Sequence, residues 1–190
     1  MRKQMLVILL LVIISDFSKA QNKKTAPDKA TAGRYSFIAE GGGAGIAFSA
    51  NFDTRFKNSR LGLGGRLGVG FVSAWADYYD PVLMMWTEDD QESAITFPVQ
   101  LNYVFGKNNS PHTFEAGAGC TYVSKKLNIM NFASYYNSNS DRRTQFFGTF
   151  AFMYRRQPLN GGFSWRAGFT PIFAKDYIQP FGSLSVGYNF

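Results

Sequence analysis

The chain has 190 residues, a formal net charge of +7 and a sequence pI near 9.5, and 17% of its residues are aromatic. Its basic residues are spread along the chain rather than clustered, which argues against a nucleic-acid-binding surface. The single cysteine, Cys120, excludes an internal disulfide framework, and with only one histidine the chain cannot build a structural zinc site. We therefore expect one domain without metal or cofactor, stabilised by strand pairing.

The first twenty residues have the three parts of a secretory signal peptide. Residues 1–4 are short and basic, residues 5–14 are purely apolar, and Ser18-Lys19-Ala20 places small residues where a signal peptidase cleaves. The apolar run is too short for the roughly 20 residues that a membrane-spanning helix needs. We predict cleavage before Gln21, followed by a flexible polar lead-in over residues 21–33 and a β-barrel over residues 34–190.

Eight segments of alternating apolar and polar residues follow, and this period of two predicts β-strands. They cover residues 35–42, 46–56, 61–73, 95–105, 113–124, 144–157, 162–173 and 181–190.

The connections between these segments alternate in length. Three are short and rich in Asn, Ser, Gly and Pro, two are long, and one is of intermediate length. Only the first hairpin departs from the alternation, because Gly43–Gly45 makes an outer connection scarcely longer than a turn. The short ones are 57–60, 106–112 and 158–161, the long ones 74–94 and 125–143, and the intermediate one 174–180. An even strand count with short turns at one end and long loops at the other is typical of bacterial outer-membrane barrels. We therefore predict an all-β, eight-stranded antiparallel transmembrane barrel with both termini on the periplasmic side.

The two faces of the predicted strands differ in charge and in side-chain volume. One face carries uncharged, mostly bulky side chains, whereas the other mixes glycine and serine with charged residues. An eight-stranded barrel has an interior just wide enough for side chains to fill, so the bulky face is predicted to contact lipid. The predicted interior charges are Glu40, Asp53, Arg55, Arg66, Glu115, Arg155 and Arg166. Because buried charges need partners, we expect a salt-bridged, plugged interior rather than an open pore.

Proline and glycine qualify this pattern at a few positions. Pro98 and Pro171 lie inside predicted strands, where proline removes a ladder hydrogen bond, and we expect bulges or fraying there near the outer rim. The glycine-rich run 62–68 is followed by no helical pattern, so it does not indicate a phosphate-binding loop. We interpret its glycines as small inward residues that make room for Arg66.

No catalytic group emerges from the sequence. The only histidine, His112, lies in a predicted periplasmic turn, away from the outer rim where a barrel enzyme that modifies lipid A needs a general base. The acidic residues of segment 74–94 match no calcium-loop pattern. Aromatic residues in the long loops are candidates for contacts with an extracellular partner, or alternatively anchors in the lipid headgroup region: Tyr78, Tyr79, Trp86, Tyr135 and Tyr136.

Three stretches carry a resemblance to a known class: NYVFGK at residues 102–107, RAGFTP at residues 166–171, and the terminal GYNF at residues 187–190. With the leader and the strand pattern, they resemble small outer-membrane barrel proteins of the OmpA, OmpX and OmpW type. The resemblance implies a Gram-negative outer membrane, contact with outer-membrane lipid and lipopolysaccharide, and Tyr188 and Phe190 as the signal read by the barrel-assembly machinery.

The same resemblance leaves several functions open, because adhesion, envelope stabilisation and small-molecule passage all occur on this scaffold. We predict a non-enzymatic protein with a structural or surface-interaction role. A narrow channel or small-molecule transporter is the alternative, and a lipid A modifying enzyme is a third hypothesis.

Overall fold

The computed structural model describes residues 33–80, 84–127, 144–174 and 177–190. The predicted signal peptide, residues 21–32 of the predicted lead-in, and Tyr135 and Tyr136 lie outside these ranges. The described residues form ten strands and one short 3-10 helix, η1: β1 Tyr35–Gly42, η1 Gly43–Gly45, β2 Phe48–Arg55, β3 Gly62–Asp80, β4 Met85–Gly106, β5 His112–Leu127, β6 Thr144–Arg156, β7 Gly162–Phe169, β8 Ile172–Ala174, β9 Tyr177–Gln179 and β10 Gly182–Asn189. Within these ranges no helix is both long and apolar enough to cross a bilayer.

The strands pair antiparallel and close on themselves. Their order in the sheet is β5-β4-β3-β2-β1-β10-β7-β6-β8-β9, and a further pairing of β5 with β6 closes the ring. β8 continues β7 along β6 in an unchanged register, and β9 likewise continues β10. The ring therefore has eight strands, and the predicted all-β eight-stranded antiparallel barrel is confirmed.

Prolines account for the breaks within these composite strands, because proline has no N–H to donate to a ladder. Pro171 separates β7 from β8, and Pro180 separates β9 from β10. The chain still follows its neighbours there, since Phe150 N donates to Pro171 O at 3.1 Å and Thr170 N donates to Phe181 O at 2.7 Å.

The sequence predicted fraying of the strand at Pro98, near the outer rim. The strand is not frayed there, since Pro98 lies well inside β4. It stands opposite Thr121 in an unbroken β4–β5 ladder. On the other side of β4, the pairing with β3 is interrupted. It stops after Leu67 opposite Val99 and resumes at Gly70 opposite Thr96. The barrel thus tolerates the proline by losing pairing on one side only.

The prediction of a loop over residues 74–94 is wrong. β3 and β4 remain paired as far as Asp80 opposite Met85, with one register shift between Trp75 and Asp77. β2 pairs with β3 only up to Phe71, and β5 pairs with β4 only up to Thr96. Residues 72–80 and 85–95 are therefore a two-stranded ribbon beyond the ring, which we call the extended hairpin.

The extended hairpin and η1 define the hairpin end of the barrel. The opposite end, which we call the terminal end, carries Tyr35, Asn189 and the turns 56–61, 107–111 and 157–161. Tyr78, Tyr79 and Trp86 belong to paired strands of the extended hairpin rather than to a loop.

The distribution of exposure is opposite to that of a water-soluble protein. Leu67 is 60% exposed, whereas the preceding residue, Arg66, is 3% exposed. The same alternation recurs in β10, where Leu184 is 62% exposed and Ser185 is 2% exposed. Because successive side chains of a strand point to opposite faces, the apolar face surrounds the barrel and the polar face fills it.

Inward glycines of β3 make room for polar side chains of the adjacent strand. A Cβ at Gly64 would collide with the Arg55 guanidinium and with Thr54 O, and a Cβ at Gly68 would collide with the Asn51 side chain. The prediction that these glycines make room for Arg66 was therefore wrong in its detail. They accommodate the inward side chains of β2, because facing positions of paired strands compete for the same interior volume.

We expect Gly64→Ala to destabilise the folded barrel by roughly 1–3 kcal/mol, the usual cost of overfilling a packed interior. Gly65→Ala is the matched control, since a Cβ there meets only the Phe56 ring at 3.5 Å and Gln100 O at 3.9 Å. Urea unfolding of the two variants in detergent micelles measures the difference. Equal free energies of unfolding for both variants would contradict this packing argument.

Candidate functional site

The barrel interior brings together the seven predicted interior charges. Each of the six strands β1, β2, β3, β5, β6 and β7 contributes at least one of them, always at an inward position of the alternation. None is more than 3% exposed: Glu40, Asp53, Arg55, Arg66, Glu115, Arg155 and Arg166. We call these seven side chains the ionic network.

Glu115 is the centre of the ionic network. Its Oε1 accepts hydrogen bonds from Arg66 Nη2 at 2.5 Å and from Arg166 Nη1 at 3.0 Å. Its Oε2 accepts from Arg155 Nη1 at 3.2 Å. One carboxylate on β5 thus binds guanidinium groups from β3, β6 and β7 and ties non-adjacent strands together across the interior.

Asp53 and Glu40 extend the ionic network in two directions. Asp53 accepts from Arg55 Nη2, and its Oδ2 accepts from Arg155 Nη1 at 2.8 Å. Glu40 Oε2 accepts from Arg166 Nη2 at 2.5 Å. The network holds three carboxylates and four guanidinium groups, so its formal charge is +1.

Neutral oxygens bind several of the guanidinium N–H groups that the carboxylates leave over, whereas Arg66 Nε and Arg155 Nε have no hydrogen-bond partner among the described residues. Arg55 Nη2 donates to Asn102 Oδ1 at 2.7 Å, and Arg66 Nη1 donates to Gln100 Oε1 at 3.0 Å. Arg166 Nε donates to the Ser185 hydroxyl at 2.9 Å. These amides and hydroxyls stabilise the excess positive charge, because a buried guanidinium without acceptors is strongly disfavoured.

Arg60 closes the terminal end, and the sequence did not single it out. It is 8% exposed, and its Nη2 donates to the backbone oxygens of Lys107, Asn108 and Ser110 at 2.9, 2.9 and 2.6 Å. Gln157 Nε2 donates to Arg60 O at 3.1 Å, so three turns are connected. Burial lowers the pKa of Arg60, and the charge of Arg155 lowers it further.

Arg60 escaped the sequence analysis because its acceptors are carbonyls, and any residue in a turn can offer a carbonyl. No charge pattern marks such a contact.

At the hairpin end, η1 folds into the barrel instead of out of it. Gly43, Ala44 and Gly45 are all buried. Thr121 Oγ1 donates to Ala44 O at 2.8 Å, and Thr96 Oγ1 donates to Gly45 O at 3.1 Å. The sequence predicted a short connection here but not its inward direction.

Glycine is required at this inward connection. Gly43 has φ of 71°, in the left-handed region, and a Cβ on it would collide with the Glu40 carboxylate. Ile46 follows with φ of 74°, which is rare for a β-branched residue. The predicted start of the second strand at Ile46 is therefore wrong, since β2 begins at Phe48.

Ile46 instead joins an apolar layer across the barrel, on the hairpin side of η1. The buried members of this apolar layer are Ile46, Val72, Ala94, Val123, Phe147 and Ile172, with Ala174 and Phe181 packed against them. The interior therefore contains, from the terminal end to the hairpin end, Arg60, the ionic network, η1 and the apolar layer.

The remaining predicted residues lie away from the interior. His112 is the first residue of β5, at the terminal end, and it is exposed. Tyr188 stands opposite Phe37, and the Phe190 ring centroid lies 5.7 Å from that of Phe37 on the outer surface. Phe190 N donates to Tyr35 O at 2.9 Å, so the final residue continues the ladder with the first strand.

In residues 33–80, 84–127, 144–174 and 177–190, no group of three or more His, Cys, Asp and Glu is placed to hold a metal ion.

Comparison with known proteins identifies the architecture. No family model and no curated protein matches the sequence. Among solved structures, the chain is similar to the N-terminal β-barrel domain of Pseudomonas aeruginosa OprF, with a TM-score of 0.53, 15% identity, and coverage of 84% of this chain and 99% of that one. The fold is that of a small outer-membrane β-barrel.

A second solved structure, the outer-membrane protein Ail of Yersinia pestis, aligns with a TM-score of 0.45 and 14% identity over 82% of this chain and 97% of that one. At 15% identity, the likeness to the OprF barrel domain concerns the fold alone.

The central position of Glu115 predicts how the barrel responds to its removal. Glu115→Gln removes one anionic partner from each of three buried guanidinium groups. Breaking a buried ion pair in this way costs about 3–5 kcal/mol of folding stability. Glu40→Gln is the matched control, because among the described residues Glu40 forms an ion pair with Arg166 only. We expect the larger loss of unfolding free energy for Glu115→Gln, measured by urea titration of the folded barrel in micelles. A loss no greater than that of Glu40→Gln would refute the central role.

Proposed function

We propose that this chain is an integral outer-membrane protein of a Gram-negative bacterium, with a closed, non-conducting interior, a structural or surface-interaction role and no enzymatic activity. The observation that carries the proposal is the ionic network, whose side chains from six strands are hydrogen-bonded across the barrel. The location is supported by the fold and by the apolar outer face, on which residues such as Leu67 and Leu184 are exposed.

The proposed insertion route follows from the final strand. Tyr188 and Phe190 remain, in this proposal, the signal that the barrel-assembly machinery reads. Their outward position beside Phe37 is compatible with recognition before the ring closes, because β10 pairs with β1, the first strand of the chain, at the seam of the ring.

The alternative of a narrow channel is disfavoured by two barriers in series. An ion crossing the interior would have to displace guanidinium–carboxylate contacts as short as 2.5 Å. It would then meet the apolar layer and η1, where a hydrophobic constriction excludes hydrated ions. Conduction thus requires a rearrangement of both barriers.

We expect the refolded barrel to give no stable conductance steps in planar lipid bilayers, because both barriers close the interior. Single-channel recording at several voltages measures this directly. A porin reconstituted in the same bilayers is the positive control. Reproducible steps of one size from the pure barrel would favour the transporter alternative over the closed interior.

The enzyme alternative has little support from the described residues. The only histidine lies at the terminal end, opposite to the rim where a substrate from the outer leaflet would arrive. Mass spectrometry of lipid A from cells with and without the gene tests this. A mass difference would show an activity that the geometry does not indicate.

A surface-interaction role is supported by the extended hairpin. Residues 72–95 contain six acidic residues and no basic one, and their paired strands reach beyond the ring. In this proposal, the hairpin and segment 125–143, most of which lies outside the described residues, meet extracellular partners. Tyr78, Tyr79, Trp86, Tyr135 and Tyr136 are the candidate contacts.

Orientation is tested with single cysteines in a Cys120→Ser background. We expect Tyr79→Cys, on the extended hairpin, to react with a membrane-impermeant maleimide on intact cells, because the hairpin end faces outward. Lys107→Cys, in a turn of the terminal end, serves as the matched control and should react only after the outer membrane is permeabilised. The opposite pattern would reverse the proposed orientation.

A further inference from the structure

The terminal rim carries a cation on the outward face of the barrel. Arg156, at the end of β6, is exposed, and it is the one charged residue on the outward face of β6 and β7. Its side chain makes no hydrogen bond or ion pair with any other residue in the part of the chain that the structure describes. An arginine held at a membrane surface without a protein acceptor is available to an anion.

The neighbours of Arg156 form an outward row across three strands. His112 of β5 stands opposite Arg156 on one side, and Trp165 of β7 stands opposite it on the other. The Tyr154 ring lies 5.3 Å from the Trp165 ring, centroid to centroid, and Tyr154 Oη lies 2.5 Å from His112 Nδ1. Trp and Tyr rings are enriched at the level of lipid headgroups, so this row is placed where phosphate groups lie.

His112 can supply a second donor in one of its tautomers. When the Tyr154 hydroxyl donates to Nδ1, a neutral imidazole carries its proton on Nε2, which then donates away from Tyr154. Arg156 and His112 together can therefore direct N–H groups at one anion from adjacent strands. Guanidinium groups bind phosphate oxygens with two parallel hydrogen bonds, which a single lysine cannot do.

The surroundings favour an anion as well. The stretches 56–61, 106–112 and 156–162 of the terminal end contain four basic residues and neither aspartate nor glutamate. The acidic extended hairpin lies at the opposite end of the barrel. The barrel is thus electrically polarised, and its terminal rim attracts anionic headgroups of the leaflet that it faces.

We propose that Arg156, His112, Tyr154 and Trp165 form a binding site for the phosphodiester headgroup of an anionic glycerophospholipid at the terminal rim. This inference rests on the proposed location in a membrane. Arg156 binds the phosphate, His112 supplies the second donor, and the Tyr154 and Trp165 rings contact the glycerol and upper acyl region.

The site contains its own reporter. The chain has three tryptophans, and replacing Trp75 and Trp86 of the extended hairpin by phenylalanine leaves Trp165 as the only indole. This double variant is refolded into vesicles of phosphatidylcholine with one fifth phosphatidylglycerol, in which either lipid carries brominated acyl chains. Bromine quenches only tryptophans that it contacts, so quenching per mole of each lipid reports which lipid occupies the site.

We expect brominated phosphatidylglycerol to quench Trp165 about fivefold more per mole than brominated phosphatidylcholine, the factor that corresponds to ~1 kcal/mol for a basic residue near an anionic surface. Arg156→Gln should bring this ratio close to one. Lys57→Gln removes the same charge from the β2–β3 turn, on the opposite side of the eight-strand ring, and should leave the ratio unchanged.

Two results contradict the proposed site. One is a quenching ratio close to one in the double tryptophan variant, and the other is a high ratio that Arg156→Gln does not lower. An equal fall of the ratio in Lys57→Gln contradicts the site as well, because that result assigns the effect to net charge. Absence of quenching by either lipid is a separate outcome, since it shows that the barrel has not inserted and removes the proposed function itself. Far-UV circular dichroism of each variant verifies that the β-barrel has formed.

Discussion

The burial of charge inside a ring of apolar side chains is the constraint on which the rest of this structure depends. A guanidinium or carboxylate removed from water loses several kcal/mol of hydration, and only close partners restore it. Glu115 meets that requirement for three arginines at once, at 2.5–3.2 Å. Because those arginines come from three different strands, satisfying the charges also fixes the strands relative to one another.

Interior volume is the second constraint, and it follows from the first. Long charged side chains can meet across an eight-stranded barrel only if the positions facing them are small. Gly64 and Gly68 of β3 are small for this reason, since a Cβ on either would enter the space of a polar side chain of β2. The outer face has no such limit, and bulky residues such as Phe37 and Phe114 stand there with more than half of their surface exposed.

The ends of the barrel are closed by different chemistry. At the terminal end, the Arg60 side chain donates hydrogen bonds to backbone oxygens of the turn 107–111, which lies outside the strands. At the hairpin end, η1 brings backbone oxygens inward to Thr96 and Thr121, and apolar side chains cover it. Backbone folded into a barrel must find donors and acceptors there, because it is buried.

The sequence by itself determined most of the barrel strands and which of their side chains point inward and which point outward. It could do so because a period of two assigns each side chain to a face from local information alone. Arg66 beside Leu67, and Ser185 beside Leu184, already show which face carries charge. The same pattern predicted six of the eight barrel strands to within a few residues at each end.

Only the tertiary structure decided how long β3 and β4 are, where η1 goes, and which charges pair. Acidic residues interrupt the alternation of apolar and polar residues in segment 72–95. The pairing of Asp80 with Met85 therefore follows only from the alignment of β3 and β4 in the barrel. The inward path of Gly43–Gly45 and the contacts of Arg60 depend on backbone oxygens, which every residue carries. Pairing such as Arg166 with Glu40 depends on the stagger of closed strands, and this is a property of the whole ring rather than of any segment.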